Sequence, residues 1–163
     1  MHMLMYHDSM QECLEMRHLH RDNLAPDVPP EVSLLDAPLL QRQVLLRLHG
    51  HAGDGTALPL VYAASWWNAT AVKNYLKDSS LPIWASLSRE RLELFRDIRD
   101  VYLGNCPNLE DVFQAQGPFW GRDYVFWHKE EPLTVIHEVF SSALSEYLGS
   151  MGQRQLSVTS ERD

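Results

Sequence analysis

Two charged side chains lie in strand-like segments that are otherwise mostly apolar, and they are the first candidates for chemistry. Glu138 lies in segment 133–140, where side chains alternate between two mostly apolar faces. An ionised carboxylate there is costly unless it is paired or used. Arg42 shares a predicted strand face with Val44 and Leu46, and an inward guanidinium offers a planar fork for a carboxylate. Together they predict a buried polar site for an anion and a hydroxyl, although they could equally pair only with each other or lie at solvated margins.

Arg122 is a third candidate. It follows the glycine-containing segment 117–121 and shares a predicted strand face with Tyr124 and Phe126. The loop before it could close over a ligand, in which case Arg122 would contact that ligand. The alternative is a surface arginine stacked on an aromatic ring.

Other chemistries find little support in the motifs. The eight histidines match no HExxH or comparable ligand set, so we predict no metal site. Cys13 and Cys106 fit no metal-binding spacing, and they indicate a reducing compartment, with one disulfide as the alternative. The sequence contains no GxSxG, no P-loop and no GxGxxG motif.

The composition limits the partners. The 163 residues carry a formal charge of −8, which disfavours nucleic acid and anionic membranes. A small anionic substrate would therefore need local arginines rather than the field of the whole chain. The N-terminus has no basic region followed by an apolar run, and the longest mostly apolar stretch, 57–67, is too short to span a membrane. We expect a cytoplasmic monomer with a small-molecule substrate and no nucleic acid or membrane partner.

The elements that would position these residues can be read from the pattern. Ser9-Met10-Gln11-Glu12 matches a capping box and predicts a helix from Ser9 to about His20. Segment 22–38 holds four prolines, which exclude a helix or a central strand and predict an irregular connection. Asn68 is predicted to cap a short helix over 69–77.

Alternating patterns and turn residues predict antiparallel strands, some joined as hairpins, over 41–49, 58–67, 92–103, 119–128 and 133–140. A further short helix is predicted over 108–114. The fold class is therefore α+β, with one domain over 1–149 and a disordered polar tail over 150–163.

Four segments resemble the chorismate lyase (chorismate–pyruvate lyase) family, in particular its cyanobacterial and plastid branch. Their order and spacing fit as well, and the resemblance covers roughly residues 40–149. The segments are PLVYAASWWNA at 59–69, LPIWASLS at 81–88, GPFWGR at 117–122 and PLTVIHEVFS at 132–141. A weaker similarity places Asp8-Ser9-Met10 at the family's Asp-Ser-Met helix start.

This resemblance implies a single antiparallel sheet whose flanking helices enclose an internal ligand cavity. It implies conversion of chorismate to 4-hydroxybenzoate and pyruvate toward a quinone head group such as that of plastoquinone, with no metal or organic cofactor. The family's ligand-binding Arg and Glu correspond to Arg42 and Glu138, and its backbone contacts correspond to Met10 and Ile83. Ala64 stands where bacterial members carry a second Arg, and Arg122 is the candidate substitute.

A second hypothesis comes from another class of protein. The family's fold is similar to the effector-binding domains of one group of bacterial transcription regulators, so the chain could be a non-catalytic binder of small aromatic acids. No helix-turn-helix segment is evident before residue 40, which argues against a whole regulator.

Overall fold

The computed structural model describes residues 9–48, 57–75, 87 and 93–145. They form one antiparallel six-stranded sheet in the order β1-β2-β3-β6-β5-β4. The strands are β1 (Ser9–Leu19), β2 (Leu39–Leu48), β3 (Leu58–Asn68), β4 (Phe95–Gly104), β5 (Phe119–His128) and β6 (Glu131–Phe140). The helices are α1 (Ala69–Tyr75), α2 (Pro107–Phe113) and short 3-10 turns at Arg21–Asn23 and Pro30–Leu34. The predicted α+β class with a single antiparallel sheet is confirmed.

The register divides the side chains between two faces of the sheet. On the first, which we call the Arg42 face, Arg42 pairs with Ser65, and Ser65 pairs with Ile136. On the second, the Ala64 face, Gln43 pairs with Ala64, and Ala64 pairs with His137. Because neighbours along a strand alternate, each candidate residue has an immediate neighbour on the opposite face.

Apolar side chains bury both faces. On the Arg42 face α1 packs over a cluster that contains Trp67, Leu87, Tyr124, Phe126 and Ile136. On the Ala64 face the Pro30–Leu34 turn packs over a cluster that contains Val32, Leu35, Leu39, Trp66 and Val135. With both sides covered, β3 and β6 form the centre of the sheet, as their nearly continuous apolar runs suggest.

Local signals account for two junctions. Asn68 Oδ1 accepts hydrogen bonds from the backbone N–H groups of Thr70 and Ala71, at 2.9 and 3.1 Å, so the predicted cap of α1 is confirmed. The β5–β6 hairpin turns through Lys129 and Glu130, with φ values of 50° and 65°. Two consecutive positive φ angles are typical of a tight two-residue hairpin turn that matches the twist of its strands.

The predicted helix from Ser9 to about His20 is wrong, because this segment is the edge strand β1. The Ser9 to Glu12 spacing is a purely local signal, whereas pairing along the whole of β2 provides the backbone partners. Polar cross-strand contacts reinforce the pairing: Arg47 Nε lies 2.7 Å from Glu12 Oε2, and Gln43 Nε2 donates to Glu15 Oε2 at 3.0 Å. The irregular connection predicted over 22–38 is confirmed apart from its two 3-10 turns.

The five predicted strands all occur, with bounds shifted by up to three residues, and the short helix predicted over 108–114 is α2. The segment 50–55 between β2 and β3, the end of the helix predicted over 69–77, Ile83 and the tail over 150–163 lie outside the described residues. Among the residues that the structure describes, no helix is long and apolar enough to cross a membrane.

Candidate functional site

Arg42 is buried in the middle of β2, with 1% of its surface exposed. Burial is the main cause that lowers the pKa of its guanidinium from the usual value, while nearby Cys13 raises it. Arginine nevertheless stays protonated in proteins, so this position holds a cation largely removed from water. The sequence placed Arg42 on the more apolar face of its strand, and the burial agrees with that placement.

Small side chains separate Arg42 from Glu138 across the sheet. Ser65 is the β3 partner of Arg42, and Ala63 is the β3 partner of Glu138. Arg42 and Glu138 lie two strands apart, and their β3 partners are two residues apart along that strand. Strand geometry therefore separates their backbones by about 10 Å across the sheet and about 7 Å along it. Alanine and serine are small side chains, so little side-chain volume of β3 lies between the two charges.

Glu138 is held by residues of the neighbouring strand β5. Its Oε2 accepts hydrogen bonds from Arg122 Nε and Nη2, at 2.9 and 2.6 Å, and its Oε1 accepts one from the Tyr124 hydroxyl at 2.7 Å. The Glu138 and Arg122 side chains are 12% and 21% exposed. A carboxylate has about four acceptor positions, so Oε1 can accept one more donor.

Tyr124 and Arg96 complete this cluster. Burial, followed by the adjacent Glu138 carboxylate, raises the pKa of the Tyr124 phenol well above its usual value. The phenol therefore remains a donor throughout the physiological range. Arg96 Cζ lies 4.8 Å from the Tyr124 ring centroid and 4.9 Å from that of Phe126, within the range of cation–π contacts.

The central part of the Arg42 face is positively charged. Its described strand residues contribute the guanidinium groups of Arg42, Arg96 and Arg122 against the carboxylate of Glu138. This is opposite in sign to the chain's overall charge of −8. A local cluster of arginines is what a small dianionic ligand would need in an acidic protein.

The structure brings together some predicted site residues and separates others. The sequence left open whether Arg42 and Glu138 pair with each other. In the structure the Glu138 carboxylate instead accepts hydrogen bonds from Arg122 and Tyr124. Arg122 is more than a stacked surface residue, although its Cζ does lie 5.2 Å from the Tyr124 ring centroid. Met10 lies in β1 opposite Arg47 and not at a helix start.

Ala64, noted as the place of a second arginine in bacterial members, lies on the face opposite Arg42. Its strand partners Gln43 and His137 share that opposite face. An arginine side chain at this position would therefore point away from the Glu138 cluster. Arg96 was missed as a site residue; once β4 is paired with β5, its place opposite Phe126 puts it on the Arg42 face.

No group of three or more His, Cys, Asp or Glu side chains within 9–48, 57–75, 87 and 93–145 is arranged to hold a metal ion.

Solved structures of regulator domains share this fold. A possible transcriptional regulator, YydK from Bacillus subtilis, superimposes with a TM-score of 0.61 at 14% identity, covering 82% of this chain and 57% of that one. The ligand-binding domain of a putative GntR-family regulator from Bordetella bronchiseptica gives 0.58 at 17% identity, covering 82% and 84%. At these identities the likeness concerns the fold alone.

The family is shown by sequence. The model of the family described as chorismate pyruvate-lyase Rv2949c-like matches residues 1–148, so the chain belongs to this family, as the resemblance predicted. A curated relative, ycf21 of Cyanophora paradoxa, is 36% identical over 104 residues, 64% of this chain and 51% of the relative. The ycf21 protein of Porphyra purpurea is 36% identical over 95 residues, 58% and 55% respectively. The chain thus matches about half the length of these relatives.

Proposed function

We propose that this protein is a chorismate lyase that releases 4-hydroxybenzoate and pyruvate, a step toward a quinone head group. The observation that carries the proposal is the placement of buried Arg42 and slightly exposed Glu138 on one face of the sheet, with Ala63 and Ser65 of β3 between them. The family match over residues 1–148 supports the same reaction class.

Substrate binding follows from the charges on the Arg42 face. Chorismate carries two carboxylates, and each needs a cation or several donors once it leaves water. We assign one carboxylate to Arg42, whose largely desolvated guanidinium can bind it bidentately. The Glu138 carboxylate, 2.6 Å from Arg122 Nη2, orients the Arg122 guanidinium. We assign Arg122 to contact the second carboxylate of chorismate.

Glu138 is assigned to the hydroxyl-bearing side of the ring. The free acceptor position on Oε1 can receive the substrate hydroxyl, while Tyr124 and Arg122 fix the carboxylate's orientation. In the reaction the ring carbon that bears the hydroxyl loses its proton, and the adjacent carbon–oxygen bond to the enolpyruvyl group breaks. The C–H electron pair completes the aromatic ring, and the departing enolate takes up a proton to become pyruvate.

A weak base suffices for this step because aromatisation makes it strongly downhill. Glu138, held by Arg122, is therefore suited to accept the ring proton without an unusually basic carboxylate. What the protein must supply is mainly position and exclusion of water. The reaction as written consumes no oxidant, reductant or cofactor.

The test is turnover of chorismate by the purified full chain in the presence of a chelator. Chromatography should detect equal amounts of 4-hydroxybenzoate and pyruvate above a no-enzyme control. Glu138→Gln should lower kcat by about 100-fold, because it removes the proton acceptor but keeps the size of the side chain. The matched control, Glu131→Gln on the exposed end of the same strand, should leave the rate unchanged. Background-level product from the unaltered chain would contradict the proposal.

The second candidate, a non-catalytic binder of small aromatic acids, is favoured by the shared fold with a regulator's ligand-binding domain. It predicts saturable binding of 4-hydroxybenzoate without turnover of chorismate. Either activity requires only a small-molecule partner. We expect the protein to be cytoplasmic and monomeric, and analytical ultracentrifugation would test the oligomeric state.

A further inference from the structure

A cavity of about 470 Å³ opens on the Ala64 face, on the side of the sheet away from Arg42 and Glu138. Its floor comes from β2, β3 and β6, and its walls come from β1, the 22–38 connection and α2. A volume in this range is typical of sites for small molecules. The floor residues are Gln41, Gln43, Tyr62, Ala64, Trp66 and His137.

The floor has a gap in an otherwise polar row. Glu15, Gln43, Ala64, His137 and Asp123 lie side by side across five strands. Gln43 is tied to Glu15 at 3.0 Å, and His137 Nδ1 is tied to Asp123 Oδ1 at 2.7 Å. Alanine between these two fixed pairs leaves the space that the cavity occupies, beside the aromatic rings of Tyr62 and Trp66.

One wall presents an oriented cation. Arg17 Nε donates to Gln41 Oε1 at 2.7 Å, which fixes the plane of the guanidinium and leaves the Gln41 amide NH₂ beside it. Arg17 Nη1 lies 3.8 Å from Glu15 Oε1, beyond hydrogen-bond distance, so the terminal N–H groups can still donate to an incoming acceptor. Arg17 and Gln41 together form a fork of donors suited to a carboxylate.

The connection carries the opposite charge. Asp27 lines the same cavity, next to Val28. A ligand with a carboxylate alone would meet Arg17 favourably but would also face the Asp27 carboxylate, with Glu15 adding a second negative charge nearby. A ligand that carries an ammonium group next to its carboxylate satisfies both charged walls.

We propose that this cavity is a second ligand site and that it binds a free α-amino acid with an aromatic side chain. The carboxylate contacts Arg17 and Gln41, the ammonium group contacts Asp27, and the ring lies against Tyr62 and Trp66 over Ala64. The site uses none of the residues assigned to chorismate, so it stands independently of the proposed lyase activity.

The experiment is calorimetric titration of the full chain with L-phenylalanine, followed by two analogues that each lack one charge. We expect saturable binding with a dissociation constant of about 1 mM or below. Phenethylamine lacks the carboxylate and 3-phenylpropanoate lacks the ammonium group, and each should bind at least about tenfold more weakly. No saturable binding of L-phenylalanine, or equal binding of either analogue, would overturn the proposal.

Matched variants locate the site. Arg17→Gln and Asp27→Asn should each weaken binding at least about tenfold. Arg47→Gln, which breaks the β1–β2 ion pair with Glu12 outside the cavity, and Asp22→Asn on the same connection should not change the binding. Circular dichroism should show that all four variants are folded. If Glu138→Gln weakens binding, or if 4-hydroxybenzoate displaces L-phenylalanine, the ligand lies on the Arg42 face and the assignment is wrong.

Discussion

The Arg42 face and the Ala64 face are built from adjacent residues of the same strands, but their charges differ in exposure. On the Arg42 face the Glu138 and Arg122 side chains are 12% and 21% exposed, whereas on the Ala64 face those of Glu15 and Arg17 are 44% and 50% exposed. Electrostatic interactions strengthen as water is excluded. The charged groups of the Arg42 face are therefore held in fixed positions, as the proposed chemistry requires, whereas solvent screens Glu15 and Arg17 on the Ala64 face.

The largest expected effect is that of Arg42→Met, which removes the charge but keeps much of the side-chain volume. We expect kcat/KM for chorismate to fall by about 100-fold or more, because a largely desolvated carboxylate would lose its cation. Arg17→Met on the other face is the control and should retain the wild-type value. Equal losses in both variants would remove the functional distinction between the faces.

The Glu138–Arg122 ion pair should dominate the stability of the Arg42 face. A double-mutant cycle with Glu138→Gln and Arg122→Met should give a coupling free energy of about 2 kcal/mol in urea unfolding, because the pair is only slightly exposed and two guanidinium N–H groups donate to Glu138 Oε2. A coupling below about 0.5 kcal/mol would mean that solvent screens this pair as it screens surface pairs.

Alkaline pH should destabilise the Arg42 face through Tyr124. Burial and Glu138 raise the pKa of its phenol, so the folded chain keeps a proton that the unfolded chain loses near pH 10. Its contribution to stability is therefore fully present below about pH 10 and declines above it by about 1.4 kcal/mol per pH unit. Urea unfolding across this range should show a shallower decline in Tyr124→Phe, and an unchanged slope would contradict the linkage.

The His137–Asp123 contact on the Ala64 face should couple more weakly. Its side chains are 29% and 19% exposed, and the Tyr102 hydroxyl lies 2.8 Å from His137 Nδ1. A cycle with His137→Gln and Asp123→Asn at pH 6 should give about 1 kcal/mol. A coupling free energy larger than that of the Glu138–Arg122 cycle would mean that the pair on the Ala64 face is the stronger one, contrary to the order expected from exposure.

The smallest effect is expected for the exposed Arg47–Glu12 pair, whose side chains are 31% and 51% exposed. Its cycle with Arg47→Gln and Glu12→Gln should give about 0.5 kcal/mol or less, and added salt should reduce that value further. A coupling as large as 2 kcal/mol would show that exposure does not rank these pairs.

The sequence was informative where side-chain alternation decides the structure. It placed Arg42 with Val44 and Leu46 on one face of its strand, and Arg42 is buried there. Side-chain alternation is a property of each strand alone, so it can be read from the sequence before the neighbouring strands are known.

What the sequence could not provide depends on pairing between distant segments. The segment from Ser9 to Leu19 carries a local helix signal, and only its partner β2 makes it a strand. The contacts of Glu138 with Arg122 and Tyr124 depend on the β5–β6 register, and the place of Arg96 depends on that of β4 with β5. Register is set by the assembled sheet, so these contacts could not be assigned from single strands.

The strand order has a consequence for how the molecule assembles. β1, β2 and β3 form one three-stranded meander and β4, β5 and β6 form another, and the two meet along the β3–β6 pairing. Arg42 belongs to the first meander, and Glu138 with its two β5 partners belongs to the second. Each meander depends on contacts fairly close in sequence, while the junction between them joins residues about seventy positions apart and should close late in folding. The two halves of the candidate site are therefore separate until that junction forms, and two co-expressed fragments divided between β3 and β4 would each bring one half of it.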